Sequence, residues 1–145
     1  MNKLGNGRFA HYAVGVNNVG SYQVSGVPYI TGSNGLRTGQ EKKVSFPMVT
    51  KRVTVMRHTS ASAGKMRIHF NSTGSGAVVA GYHFIELDSD EDSFDFSIKC
   101  KEIYVSNAGS ATQEFRVYAE LTQIPTGSMF TLTGSGLTDE PTALG

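Results

Sequence analysis

The chain has few of the residues on which several protein classes depend. It contains no Trp, one Cys and four Pro among 145 residues. A single thiol excludes an internal disulfide framework and is typical of folding in a reducing compartment. No apolar run approaches a membrane span, and none follows the start of the chain as in a secretory signal. We therefore expect one domain, able to bury roughly 70% of its unfolded surface, without a membrane partner.

Helical periodicity is also missing, whereas the alternation typical of strands recurs. Apolar and polar residues alternate along 65–70, 94–101 and 114–121. Seventeen Gly and the turn-like pairs and tripeptides between these segments indicate tight connections. The tripeptide Thr-Gly-Ser begins at Thr31, Thr73, Thr126 and Thr133, and Asn34-Gly35 adds a further turn signal. The sequence predicts an all-β fold, a two-sheet antiparallel sandwich of the jelly-roll or Greek-key kind, with minimal helix.

The apolar parity changes at two points within strand-like stretches. One change, at the joint where Pro47 lies, separates the apolar set Val44, Phe46 and Met48 from the set Val49, Val53 and Val55. A second change lies near Lys101-Glu102. Such changes predict a bulge or bend. Less regular strands are predicted at 11–16, 22–30, 77–87 and 129–133. The sandwich is expected over 11–125, between an N-terminal arm at 1–10 and a C-terminal arm at 126–145, both rich in small polar residues.

Charge is divided sharply along the chain, although the formal net charge is only +1. Eight cations and one anion, Glu41, lie between positions 37 and 69. Six anions and no cation lie between positions 86 and 95. This layout favours contacts in which a positive patch on one subunit meets a negative patch on another. If the two regions pair within one molecule, that interpretation weakens.

No motif for catalysis or for a metal ion is present. The acidic run after Asp88 begins like a Ca²⁺ loop, but Ser93 and Lys99 replace the Gly and Glu that an EF-hand needs. Two interpretations of this run remain: a cation site of looser geometry, or a solvated hairpin tip. The four His lack ligand spacing, and no serine lies in a nucleophile elbow. We predict no catalytic residue, no metal ion and no cofactor.

The basic stretch raises the question of nucleic-acid binding. Lys65, Arg67 and His69 share one strand face. The aromatic residues that would stack on bases, such as Phe70 and Phe94, have the opposite parity. The pattern therefore favours a partner-facing protein surface over a nucleic-acid site. Tyr104 and Tyr118 also lie off their apolar stripes, as interface anchors or a platform for sugar rings do.

In style, the chain resembles the small β-sandwich structural proteins of tailed-phage virions, above all capsid decoration or cement proteins. The stretches that carry the resemblance are VSFPMVTKRVTV at 44–55 and FDFSIKCKEIYVS at 94–106, together with the Gly/Ser/Thr turns and the polar arms. The resemblance implies a non-enzymatic protein of the virion, made in the host cytoplasm. It implies oligomers, commonly trimers, that contact the major capsid protein or further copies of the chain.

The alternative function is a carbohydrate- or receptor-binding module of a fibre or adhesin, which would use exposed Tyr and the acidic loop with Ca²⁺. For the capsid function, the expected contact residues combine the two charged regions and the two tyrosines. They are Lys51, Arg52, Arg57, Lys65, Arg67, Asp88, Asp90, Glu91, Asp92, Tyr104 and Tyr118.

Overall fold

Strands make up most of the described part of the chain. The structure, a computed structural model, describes residues 14–16, 19–23, 26–58, 64–72, 79, 81–89 and 92–129. Within these residues the strands are β1 (Val27–Leu36), β2 (Glu41–Ser45), β3 (Met48–Arg57), β4 (Met66–His69), β5 (Ile85–Leu87), β6 (Ser93–Phe96), β7 (Glu102–Asn107) and β8 (Gln113–Pro125). One turn of helix, α1 (Gly20–Gln23), precedes them, and a 3₁₀ turn (Thr126–Ser128) follows.

The strands form two four-stranded antiparallel sheets. The first sheet has the order β1-β8-β3-β6, and the second has the order β2-β7-β4-β5. Among the described strands, β4 and β5 are consecutive and pair within one sheet. All other paired strands are not consecutive in sequence, and each other connection crosses between the sheets, as in a double Greek key. This strand order is that of a jelly roll. The predicted all-β sandwich with minimal helix is confirmed.

The core lies between the inward faces of the two sheets. Val53 and Val55 of β3 and Phe115 and Val117 of β8 are buried on one side, and Ile103 of β7 is buried on the other. Alternation explains this placement, because successive strand residues face opposite sides. A smaller cluster of Val16, Val49, Ile124 and Met129 packs with Tyr22 at one end of the sandwich.

Both predicted changes of parity occur where the chain crosses between sheets. Phe46 and Pro47 connect β2 of the second sheet to β3 of the first. Residues 97–101 connect β6 of the first sheet to β7 of the second. In the second connection, exposed and less exposed residues still alternate up to the buried Cys100. The side chains continue to fill the core while the backbone changes sheet.

Several local predictions were wrong. Tyr22 lies in α1, where its hydroxyl donates to the carbonyl of Val16 (2.7 Å), and the strand begins only at Val27. Asn34 and Gly35, predicted as a turn, lie within β1 at a shift in its register with β8. The chain turns instead at Gly39, whose φ of +77° suits glycine.

The remaining local predictions have mixed outcomes. The tripeptide at Thr31 lies in β1 rather than in a turn, whereas the one at Thr126 forms the 3₁₀ turn. Of the strand predicted over 77–87, only Ile85–Leu87 is a strand among the described residues. Described residues 14–16 and 129 are not in strands. Residues 1–13 and 130–145, including most of both predicted arms, lie outside the described part, as do Thr73 and Thr133.

Candidate interaction surfaces

The basic and acidic regions meet within one molecule on the first sheet. Arg52 of β3 forms an ion pair with Asp95 of the neighbouring β6, and its Nε donates to Asp95 Oδ1 (2.9 Å). Thr54 Oγ1 donates to the same oxygen (2.9 Å). These hydrogen bonds, the one from Arg52 above all, lower the pKa of Asp95 to about 2. Two members of the opposing charge sets therefore neutralise each other on a single copy.

A second internal contact lies on the other sheet. Arg67 of β4 lies directly opposite Glu86 of β5, with Nε and Oε1 3.9 Å apart. Its guanidinium also stacks over the ring of Phe84, 4.1 Å from the ring centroid. Internal pairing thus weakens the interpretation of the chain as a polarised molecule with unmatched patches.

Arg57 is not a surface residue, and its prediction as a contact residue was wrong. Its side chain is 0% exposed, and its Nε donates to Gln113 Oε1 (2.7 Å) inside the sandwich. Gly64 lies against this pair, since a Cβ there would overlap both the guanidinium and the amide. The physical reason is parity: Arg57 continues the buried stripe of Val53 and Val55 along β3.

The other two basic residues lie at separate places. Lys51 is half-buried and lines a hollow of about 380 Å³ with Tyr22 and Lys99. Lys65 is exposed and lines an open groove of about 600 Å³, which it shares with Asp88. The remaining walls of this groove consist of small residues: Thr38, Gly64, Ala108, Gly109 and Ser110.

The acidic segment is only partly described. Asp88 is exposed, and Asp92 is half-buried with its carbonyl accepting from the N–H of Arg57 (2.8 Å). Asp90 and Glu91 lie outside the described residues. Among the described residues, no group of three or more His, Cys, Asp or Glu is placed to hold a metal ion.

The outer face of the second sheet is partly covered at its centre. His69 of β4 is buried there, and the ring of Tyr104 stacks on it (5.9 Å between centroids). Its Nδ1 donates to the carbonyl of Asn71 (2.6 Å), because a carbonyl only accepts; Nε2 then accepts from Ser106 Oγ (2.9 Å). Burial lowers the pKa of His69, and it raises that of Tyr104.

The segment after β4 contributes to this cover. Ser72 Oγ donates to Glu41 Oε2 (2.8 Å), which links the segment to β2 across the sheet. The hydroxyl of Tyr104 donates to Glu102 on its own strand (3.3 Å). Tyr104 is therefore half-buried and held by neighbours of its own chain.

Among the described residues, no segment covers the outer face of the first sheet, and we call it the open face. Tyr118 lies in a cross-strand row with Ile30 on one side and Thr54 and Asp95 on the other. Ile30 is 71% exposed, and Tyr118 and Met56 are 38% and 40% exposed. Arg52, Arg116 and Glu120 lie on the same face. An aromatic and two aliphatic side chains among charges of both signs have the composition of a protein interface.

Comparison with known proteins adds no relative from which a site can be transferred. No family model matches the chain, and neither the curated proteins nor the solved structures give a significant match. In the described part of the chain, no helix is long and apolar enough to cross a membrane.

Sequence reasoning identified Tyr118 but missed Ile30 and Met56 of the open face. The exposure of Met56 could have been predicted from the sequence, because Met56 alternates with the apolar residues Val53 and Val55 and so faces the other side of the strand. Ile30 has no such signal, because β1 shows no clean apolar alternation around it. Its exposure depends on the pairing of β1 with β8, which is distant in sequence.

Proposed function

We propose that the chain is a structural protein of a virion, which oligomerises and decorates or cements a capsid through contacts with capsid subunits. The open face is the observation that carries this proposal, because it presents exposed apolar side chains among charges of both signs. The jelly roll supports it as well, since this fold is common in viral capsid proteins. The fold alone does not decide the function.

The contact set proposed here differs from the one expected from the sequence. Arg52 and Tyr118 remain in it, and Ile30, Met56 and Arg116 join them. Arg57 leaves it because it is buried. Lys51, Lys65, Arg67, Asp88, Asp92 and Tyr104 lie away from the open face, and their role in contacts stays a prediction.

Co-expression with the major capsid protein of the same genome tests the proposal. We expect the chain to sediment with assembled shells, and the double variant Arg52→Glu/Tyr118→Ala to stay at the top of the gradient. Both positions are exposed, so the variant should retain the circular dichroism spectrum of the wild type. Lys101→Glu is the matched control, an exposed charge reversal in the 97–101 connection. Wild-type protein that does not sediment with shells would contradict the proposal.

Binding of carbohydrate is the second candidate function. The groove between Lys65 and Asp88 favours it, because its polar and small residues leave about 600 Å³ open to solvent. Jelly rolls also occur in lectins. Glycan-array binding that is lost on chelation of Ca²⁺ would favour this candidate over the capsid function.

A further inference from the structure

The four sheet edges of the described strands differ in length and charge. β6 has four residues and includes Asp95, and β5 has three and includes Glu86. β2 has five residues, three of them charged, and β1 has ten residues without a single charge. Lys42 of β2 has the inward parity of Val44, and its Nζ donates to Ser33 Oγ of β1 (2.7 Å). Three edges are therefore short and charged, and one is neither.

Short length, charge and inward-pointing lysines are the features that keep sheet edges from pairing with other chains. Of the known protective features, β1 has Pro28 near its start and an irregularity in its pairing with β8 between Ser33 and Leu36. In the described part of the chain, β1 pairs only with β8 and leaves its other side without a strand. The regular, uncharged stretch at 27–33 is a template for another strand.

The backbone groups of this edge point outward at alternate residues. Pro28 has no N–H to donate and is tolerated where that position faces away from β8. Ile30 and Gly32 share its parity in the register with β8. Their N–H and C=O groups therefore face the open side of β1.

Two apolar side chains in the first half of the edge are exposed. Val27 is 54% exposed and Ile30 is 71% exposed. Ile30 also lies beside Tyr118 on the open face. A strand added to β1 would cover the flank of Ile30 and extend the open face into a larger surface.

We infer that β1 is the site at which a second copy of this chain binds, antiparallel and about a twofold axis, so that the two first sheets become one eight-stranded sheet. A copy of the same strand suits the site because antiparallel pairing of identical edges is self-complementary. Two uncharged edges can pair without electrostatic repulsion. A charged partner, by contrast, would find no opposite charge on this strand to bind. The inference deepens the proposed function by naming the partner that binds one surface. The dimer itself does not depend on the proposed function, but its role in a virion does.

The mass of the full chain in solution tests this inference. We expect a species of twice 15.6 kDa that dissociates to 15.6 kDa on dilution. Ile30→Lys should reduce the mass to that of the monomer at every concentration, because it places a charge on the pairing edge. Met56→Lys is the matched control, since it adds the same charge to the same face on the interior strand β3. We expect it to leave the dimer intact, with both variants folded by circular dichroism.

Hydrogen exchange provides a second measurement on the wild-type chain. The amides of Ile30 and Gly32 should exchange slowly in the dimer and quickly after dilution. A wild-type chain that is monomeric throughout would overturn the inference, as would a dimer that survives Ile30→Lys. Loss of the dimer in Met56→Lys would also overturn it, by assigning the contact to the open face. A β1 dimer that does not bind shells would overturn the proposed function and leave the inference standing.

Discussion

Replacing Arg57 by Ala is expected to lower the free energy of unfolding by about 3–5 kcal/mol. The side chain is among the largest that are fully buried, so truncation leaves a cavity. It also removes the donor to Gln113 Oε1, a buried acceptor that then lacks this hydrogen bond. Denaturant unfolding followed by circular dichroism measures the loss.

Two further variants separate the cavity from the hydrogen bond. Arg57→Met keeps most of the side-chain volume and should lose less stability than Arg57→Ala. Adding Gln113→Leu to Arg57→Met should restore part of the loss, because it removes the polar group left in the core. Arg52→Ala is the exposed arginine control on the same strand and should change stability little. An Arg57→Ala protein as stable as the wild type would contradict the structural role given to Arg57.

The second large effect concerns pH. The free energy of unfolding should fall as pH decreases below 6.5, the ordinary pKa of histidine, because burial lowers the pKa of His69 in the folded chain. The unfolded chain then takes up a proton that the folded chain does not, so acid favours unfolding. For one group, the slope is at most about 1.4 kcal/mol per pH unit.

The charged neighbours of His69 do not reverse the effect of its burial. Glu41 favours the charged ring and Arg67 opposes it, and neither outweighs the desolvation of the ring. The Tyr104 ring stacks on His69, and the pKa of this tyrosine is raised from 10.0. Asp95, with its pKa near 2, changes stability only as the pH falls below its ordinary value of 3.8.

Urea unfolding between pH 5 and 7.5 tests this prediction. His69→Gln should flatten the dependence of stability on pH, since an amide does not titrate. His58→Gln, the same substitution at an exposed histidine, is the matched control. An equal slope in His69→Gln and the wild type would contradict the assignment to His69.

The strands with clear alternation could be predicted from the sequence because burial on one face of a sheet requires it. This applies to β4 and β8 and to the inner face of β3. The same parity placed Arg57 on the buried face, but its charge suggested a surface residue. A hydrogen bond that the guanidinium donates to Gln113, which is 56 residues away in sequence, helps to hold it in the core.

Other features depend on contacts that no local pattern contains. The sequence of β1 shows only a weak strand pattern, and its pairing with β8 is what makes it a long edge strand. The partial cover over His69 comes from the segment after β4, through Asn71 and Ser72. The internal pairing of Arg52 with Asp95 joins residues 43 positions apart. In each case the charge or the apolarity was visible in the sequence, but the neighbour was not.

Quantitative mass spectrometry of purified virions tests the central claim most directly. If the chain is a structural protein of the virion, it should purify with the particles at a fixed ratio to the major capsid protein through successive density gradients. A chain that is abundant in infected cells but absent from the particles would contradict the account.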